Sequence, residues 1–262
     1  MKKLLLMLFV LLLAGCGESP TGRKQLALLP DSQLATMGAQ TFADLKRSQP
    51  IETDPRINLY VRCVALAVLG ALPPGERHGW EVVVFRNPAP NAFALPGGKI
   101  GITTGMLKVA ATPAQLAAVI GHEIGHVLAS HGNERLTQEL AVQGGLKLIQ
   151  LLGEHEDGAH HEALLQALGI GAEFGLLRPF SRVHEREADT IGLELMAAAG
   201  FDPRQSLDLW RNMARFGGSQ PPEFLSTHPS HESRFEELQA QLDQALRLYQ
   251  QAQAEGRRPR CE

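Results

Sequence analysis

Thr112-Pro113-Ala114-Gln115-Leu116-Ala117-Ala118-Val119-Ile120-Gly121-His122-Glu123-Ile124-Gly125-His126-Val127-Leu128 decides the reading of this chain. Its first residues specify a helix start: a threonine N-cap, a proline at the first helical position and a capping-box glutamine. Leu116, Val119, Ile120, Val127 and Leu128 supply an apolar stripe, and Gly132 is placed to end the helix. His122 and His126 stand one helical turn apart, roughly 40° around the axis at ~100° per residue, so both imidazoles reach one ion. Glu123 projects beside that ion, where a carboxylate can deprotonate a metal-bound water. His-Glu-x-x-His is the zinc-hydrolase arrangement, and its chemistry requires these residue types at this spacing. Between Ala117 and Leu128 the helix is otherwise largely apolar, which argues against a solvated surface role for the imidazoles. Gly121 and Gly125 permit close approach of another element.

The third ligand sets the class. A metzincin needs glycine three residues after the second histidine and another histidine three beyond that. Those positions hold Ala129 and Gly132, and His131 is one residue off register, so it reads as a helix-end histidine at the C-terminal dipole. The remaining source is a glutamate from a second helix. Ser181-Arg182-Val183-His184-Glu185-Arg186-Glu187-Ala188-Asp189 offers one, and Ile191, Leu195, Met196 and Gly200 continue it with helical spacing. Glu185 and Asp189 share a face, so Glu185 can bind zinc while Asp189 accepts a hydrogen bond from a ligand imidazole. Glu187 points elsewhere and reads as a surface charge.

With these pieces in hand, the chain resembles the zinc metallopeptidase family of the CAAX prenyl protease, HtpX and the OMA-type proteases, in its lipid-tethered branch, which includes LoiP. The matching pieces are His122-Glu123-x-x-His126, Glu185-x-x-x-Asp189, Asn91-Ala92-Phe93-Ala94-Leu95-Pro96-Gly97-Gly98, and Thr227-His228-Pro229-Ser230 with Arg234. The resemblance implies one Zn²⁺ per chain, held by His122, His126 and Glu185, with Glu123 as general base. It implies that Asn91, Ala92 and Phe93 lie on an edge strand that holds substrate backbone. His228 would stabilise the oxyanion or close the fourth zinc position, and Arg234 would support the site near it.

The residues carry part of this without the family. Trp80-Glu81-Val82-Val83-Val84-Phe85 reads as a strand, Asn87-Pro88-Ala89-Pro90 as a breaker, and Gly97-Gly98 as a turn before Lys99-Ile100-Gly101-Ile102-Thr103. A small antiparallel sheet follows, and an edge strand can bind a peptide by strand addition. On sequence alone, a plain turn residue is the alternative for Asn91, and His228 is a loop histidine of the kind that is usually solvated. Helices are expected over Asp31–Ser48, Ile57–Leu72, Leu140–Leu152, Ala163–Leu177, from Glu185 onward, from near Asp202-Pro203, and through Phe235 to Tyr249. The fold class is α+β, a mainly helical zincin-like single domain whose edge strand faces the cleft.

Met1-Lys2-Lys3 and the apolar run Leu4–Leu13 form a basic and a hydrophobic signal region too short for a stable membrane span. Leu13-Ala14-Gly15-Cys16 resembles a lipoprotein signal, so residues 1–15 are expected to be removed and Cys16 lipidated. The mature chain would then be 16–262, with a catalytic core at about 25–250, and Gly17 would favour the outer over the inner membrane. No later segment has some 18 uninterrupted apolar residues. Cys63 and Cys261 can pair in an exported compartment, or Cys63 can remain a buried thiol within its apolar helix. The net charge of −3 without a basic stripe argues against nucleic acid. Glu154-His155-Glu156-Asp157-Gly158-Ala159-His160-His161 reads as a solvated connector, and Arg257-Arg258-Pro259-Arg260 as a frayed tail. The expected function is a membrane-tethered zinc endopeptidase acting on unfolded or misassembled envelope proteins. The rival is a zinc-stabilised periplasmic chaperone or assembly factor with a latent site.

Overall fold

The computed structural model describes residues 16–141, 180–216, 223–228 and 233–261. The signal region, the helices expected at Leu140–Leu152 and Ala163–Leu177 (beyond residue 141), the acidic connector, and Pro229-Ser230 lie outside them. A short hairpin opens the described residues: β1 (Cys16–Glu18) pairs antiparallel with β2 (Lys24–Leu26). Helices α1 (Asp31–Ser48) and α2 (Pro55–Gly70) follow, the second capped by Asp54, whose side chain accepts from the Arg56 amide. Next come β3 (Glu81–Phe85), β4 (Ala92–Leu95) and β5 (Lys99–Thr103). The sheet is mixed: β5 lies between the others, parallel to β3 and antiparallel to β4.

β5 takes the centre because Ile100 and Ile102 are fully buried and Gly101 leaves room for the Phe93 ring, which a Cβ there would meet at 2.2 Å. The Asn87–Pro90 breaker carries the chain across to the outer edge, so β4 is an edge strand, as expected. The β4–β5 turn uses positive φ at Gly97 (79°) and Gly98 (74°).

A short helix, α3 (Met106–Val109), leads into α4 (Pro113–Leu128). The Thr112 side chain accepts from the Gln115 amide at 3.2 Å, while the Gln115 side chain reaches back to Ala111 rather than Thr112. Gly132 does not end this helix. The chain turns at Ala129-Ser130, with Ser130 at φ 52°, and a new helical run, α5, begins at residue 131 and continues through residue 141. Then come α6 (Arg182–Ala198), capped by the Ser181 side chain, α7 (Gln205–Phe216), α8 (Glu223–Thr227) and α9 (Ser233–Ala254).

α4 and α6 form the centre of the core. Gly121 and Gly125 face Gly192 and Ala188, and a Cβ at Gly192 would lie only 2.6 Å from the His122 amide nitrogen. This contact brings Glu185 up to the two histidines. The tail is not frayed: Cys63 and Cys261 form a disulfide that ties the C-terminus to α2, and Cys261 is buried. Among the described residues no helix is long and apolar enough to cross a membrane.

Candidate metal centre

His122, His126, Glu185 and His228 converge, each offering a ligand atom, with all four atoms within 4.8 Å of one another. His122 Nε2 lies 3.1 Å from His126 Nε2 and 3.2 Å from His228 Nδ1. Glu185 lies 3.4 Å from His126 Nε2, 3.5 Å from His122 Nε2 and 3.1 Å from His228 Nδ1. A tetrahedral zinc site with bonds of about 2.0–2.1 Å has ligand atoms about 3.3–3.4 Å apart. The donor set and its spacing therefore fit one zinc ion. All four side chains are buried, and burying three imidazoles against a carboxylate without a shared partner would be costly.

The surroundings fix each of these side chains. His122 Nδ1 lies 3.0 Å from Asp189 Oδ1. Arg234 grips both oxygens of Asp189, with Nη2 2.7 Å from Oδ1, and places Nη1 2.8 Å from Glu185 Oε2. Its guanidinium lies over Trp210, 3.8 Å from the ring centroid, so its anchor is the Asp189–Glu185 face rather than His228 itself. Phe180 stacks on His126 at 3.8 Å and Phe224 on His228 at 4.4 Å. His228 follows α8, donates its amide to the Phe224 carbonyl and is 2 % exposed; the expectation of a solvated loop histidine does not hold.

Electrostatics follow from this packing. Burial alone would raise Glu185, but hydrogen bonds from His122, His126 and His228 outweigh it and hold the carboxyl far below the usual range. Burial disfavours protonated His122, yet its bonds to Asp189 and Glu185 push it up to about 9. Burial pushes the Glu123 carboxyl up, against the pull of His228 and His122. Glu123 Oε2 accepts the outward-facing amide of Ala94 on β4 at 3.1 Å, and Oε1 lies 3.4 Å from His228 Nε2. The carboxylate thus joins the metal cluster to the sheet edge. Beside it lies a cleft of about 290 Å³ lined by Ala94, Pro96, His126, Phe180 and Asn133.

The family model described as "Peptidase family M48" matches residues 55–242, a span containing the sheet, α4, Glu185 and His228. The chain belongs to peptidase family M48. Metallopeptidases of the family use zinc, in agreement with the donor set above. The chain is 38% identical over 242 residues to the mitochondrial metalloendopeptidase OMA1 of Arabidopsis thaliana, covering 91% of this chain and 46% of that protein. Human metalloendopeptidase OMA1, mitochondrial, is 32% identical over 240 residues (87% and 46%). The beta-barrel assembly-enhancing protease of Escherichia coli is 29% identical over 216 residues (79% and 43%). The chain spans about half the length of the curated relatives it matches.

Of the residues singled out from sequence, His122, Glu123, His126, Glu185, Asp189, His228 and Arg234 meet in one cluster. Asn91 directly precedes β4, its carbonyl accepting from the Thr103 amide at 3.0 Å, and Ala92 and Phe93 open the strand. Cys16 begins β1, far along the chain from the cluster. Two further expectations are overturned. Glu187 is buried rather than a surface charge, because Ser19, Thr21, Arg23 and His131 all bond its carboxylate. His131 is fully buried between His126 and Glu187, a consequence of the turn at Ser130 that opens α5 under the metal helix. The β1–β2 hairpin that supplies three of these partners has no signature in the sequence pattern.

Proposed function

We propose that this protein is a zinc metalloendopeptidase in which His122, His126 and Glu185 hold the ion and Glu123 is the general base. The observation that carries the reading is the position of Glu123, at once against the ligand cluster and against the outer edge of β4. Zinc, when bound, lowers the pKa of its water towards ~7 and polarises the scissile carbonyl. An extended peptide lies along β4 by strand addition, with Asn91, Ala92 and Phe93 on the receiving edge. The Ala94 amide orients Glu123, which takes the water proton and passes it to the leaving amine. Burial raises the Glu123 carboxyl, against the pull of His228 and His122. Asp189 and Arg234 keep His122 and Glu185 in register.

The substrates we infer are unfolded or misassembled polypeptides of the bacterial envelope. In support, strand addition demands backbone rather than one side-chain sequence, and the Escherichia coli relative is named a beta-barrel assembly-enhancing protease. Residues 1–15 would be a lipoprotein signal and Cys16 the lipid anchor, facing the periplasm and preferring the outer membrane. Nucleic acid is not a partner in this reading.

A second reading has its own observation. His228 Nδ1 sits among the ligand atoms, 3.1 Å from Glu185 and 3.2 Å from His122, where a substrate water would bind. With that side chain in place the site is latent, and the chain would bind clients without cutting them. Incubating the zinc-loaded chain and its Glu123→Gln variant with casein separates these readings. Cleavage by the wild type alone supports the peptidase. Client capture without cleavage by either supports the latent binder, and equal cleavage by both refutes Glu123 as base.

A further inference from the structure

The two ligand histidines are oriented differently. His122 reaches a carboxylate directly, through Nδ1 to Asp189. Among the described residues no carboxylate reaches His126 Nδ1; it meets His131 Nδ1 at 2.9 Å, and His131 Nε2 meets Glu187 Oε2 at 3.0 Å. A histidine that offers Nε2 to a metal carries its proton on Nδ1, so His126 must donate there. His131 Nδ1 must then accept, which puts its proton on Nε2, facing an acceptor-only carboxylate. This is the one assignment in which no two donors and no two acceptors face each other. His131 is fully buried and cannot turn to water.

Glu187 is in turn fastened from the start of the chain. Ser19 and Thr21 donate hydroxyls to its Oε1, and Arg23 Nε lies 2.6 Å from its Oε2. The other two nitrogens of Arg23 fork onto Glu134 at 3.0 and 2.7 Å. Glu134 also lies 3.1 Å from His184 Nε2, and His184 stacks on His131 at 4.4 Å. Just after the hairpin, Asn133 of α5 bonds both the amide and the carbonyl of Leu29. The hairpin is therefore held by partly buried charge-assisted bonds in addition to its own three-residue ladder.

We propose that His131 and Glu187 are positioning residues that orient His126 towards the metal, and that the β1–β2 hairpin holds this relay through Ser19, Thr21 and Arg23. The proposal rests on the metal reading above. It makes the segment beginning at Cys16 part of the zinc site, although the hairpin supplies no ligand. A pull on the N-terminus, or loss of the hairpin, would loosen His126 before any ligand itself changed.

The test uses the full chain in detergent, zinc-loaded, with zinc release followed by transfer to a colorimetric chelator and ligand geometry by the visible spectrum of the Co²⁺ form. Removal of such outer partners costs about 10–100-fold in metal retention. His131→Leu and Glu187→Ala should each release zinc about 10–100-fold faster and shift the cobalt bands. His131→Gln should restore near-wild-type release, because its amide oxygen accepts and its amide nitrogen donates in the same order. Arg23→Ala, at the half-buried rim, should speed release by several-fold with circular dichroism unchanged. Wild-type release and cobalt bands in His131→Leu and Glu187→Ala would overturn the relay. Should those two fail to fold, Arg23→Ala with wild-type release, or His131→Gln no better than the unfolded variants, would overturn it instead. A wild-type chain that holds no zinc would overturn the metal reading itself, a result distinct from all of these.

Discussion

Gly192→Ala tests whether the α4–α6 contact builds the site. A Cβ at 192 would sit 2.6 Å from the His122 nitrogen, 2.8 Å from the Gly121 carbonyl carbon and 2.9 Å from the His122 Cα. Ordinary contact begins at 3.4 Å, so the helices must part by about 0.5–0.8 Å. The opposing atoms are backbone and cannot rotate away, which places the cost at the upper end of overpacking, about 3 kcal/mol. Alanine gains about 1 kcal/mol in helix propensity, leaving a net loss of about 2 kcal/mol. The same displacement moves Glu185, on α6, away from the two histidines on α4, so zinc binding should weaken as well. Gly70→Ala is the control, since nothing lies within 4 Å of its added carbon; it should be neutral or stabilising. Urea unfolding of the three proteins, with zinc affinity by chelator competition, reads both effects. A Gly192→Ala protein as stable as wild type, binding zinc equally, would refute the argument.

Further outcomes follow from the same geometry. His228→Ala should raise casein cleavage, because the imidazole stands where a substrate water would bind; a fall of about 10²–10³-fold would instead make His228 an oxyanion donor. Cys63→Ser should cost about 2–5 kcal/mol in urea unfolding while leaving zinc content unchanged, since the bond closes nearly the whole domain. Stability should fall as pH drops from about 6.5 to about 4, because burial and neighbouring His131 depress His184 to about 4, so the unfolded chain takes up a proton the folded one refuses. Around His184 lie Glu134, His131 and Arg23. His184→Gln should flatten that slope relative to wild type, read as unfolding free energy at several pH values; an unchanged slope would contradict the assignment.

What the sequence disclosed was local or motif-borne. Thr112, Pro113 and Gln115 announce a helix start within four residues, and the spacing of His122, Glu123 and His126 carries its chemistry on one helical face. Glu185 and Asp189 were readable for the same reason, as a pair one turn apart. Glu187 was not readable: its partners Ser19, Thr21 and Arg23 lie more than 160 positions away, and nothing near Glu187 signals burial. The β1–β2 hairpin likewise has strands of three residues, too short to show an alternating pattern, and is held by side chains from α5 and α6. The parallel pairing of β3 with β5 escaped because breaker residues mark a crossing without its direction. The register depends on Gly101 making room for Phe93. The tail misled for a similar reason: Arg257–Arg260 reads as frayed, and its arginines are exposed, but Cys261 ties it to Cys63 across 198 positions.

The most direct test of the account is a metal count. Zinc per chain should be measured after exhaustive dialysis in the wild type, Glu123→Gln, His126→Ala and Glu185→Ala. One zinc per chain is expected in the wild type and in Glu123→Gln, and little or none once His126 or Glu185 is removed. A wild type without stoichiometric metal, or a Glu185→Ala variant that keeps its zinc, would contradict it.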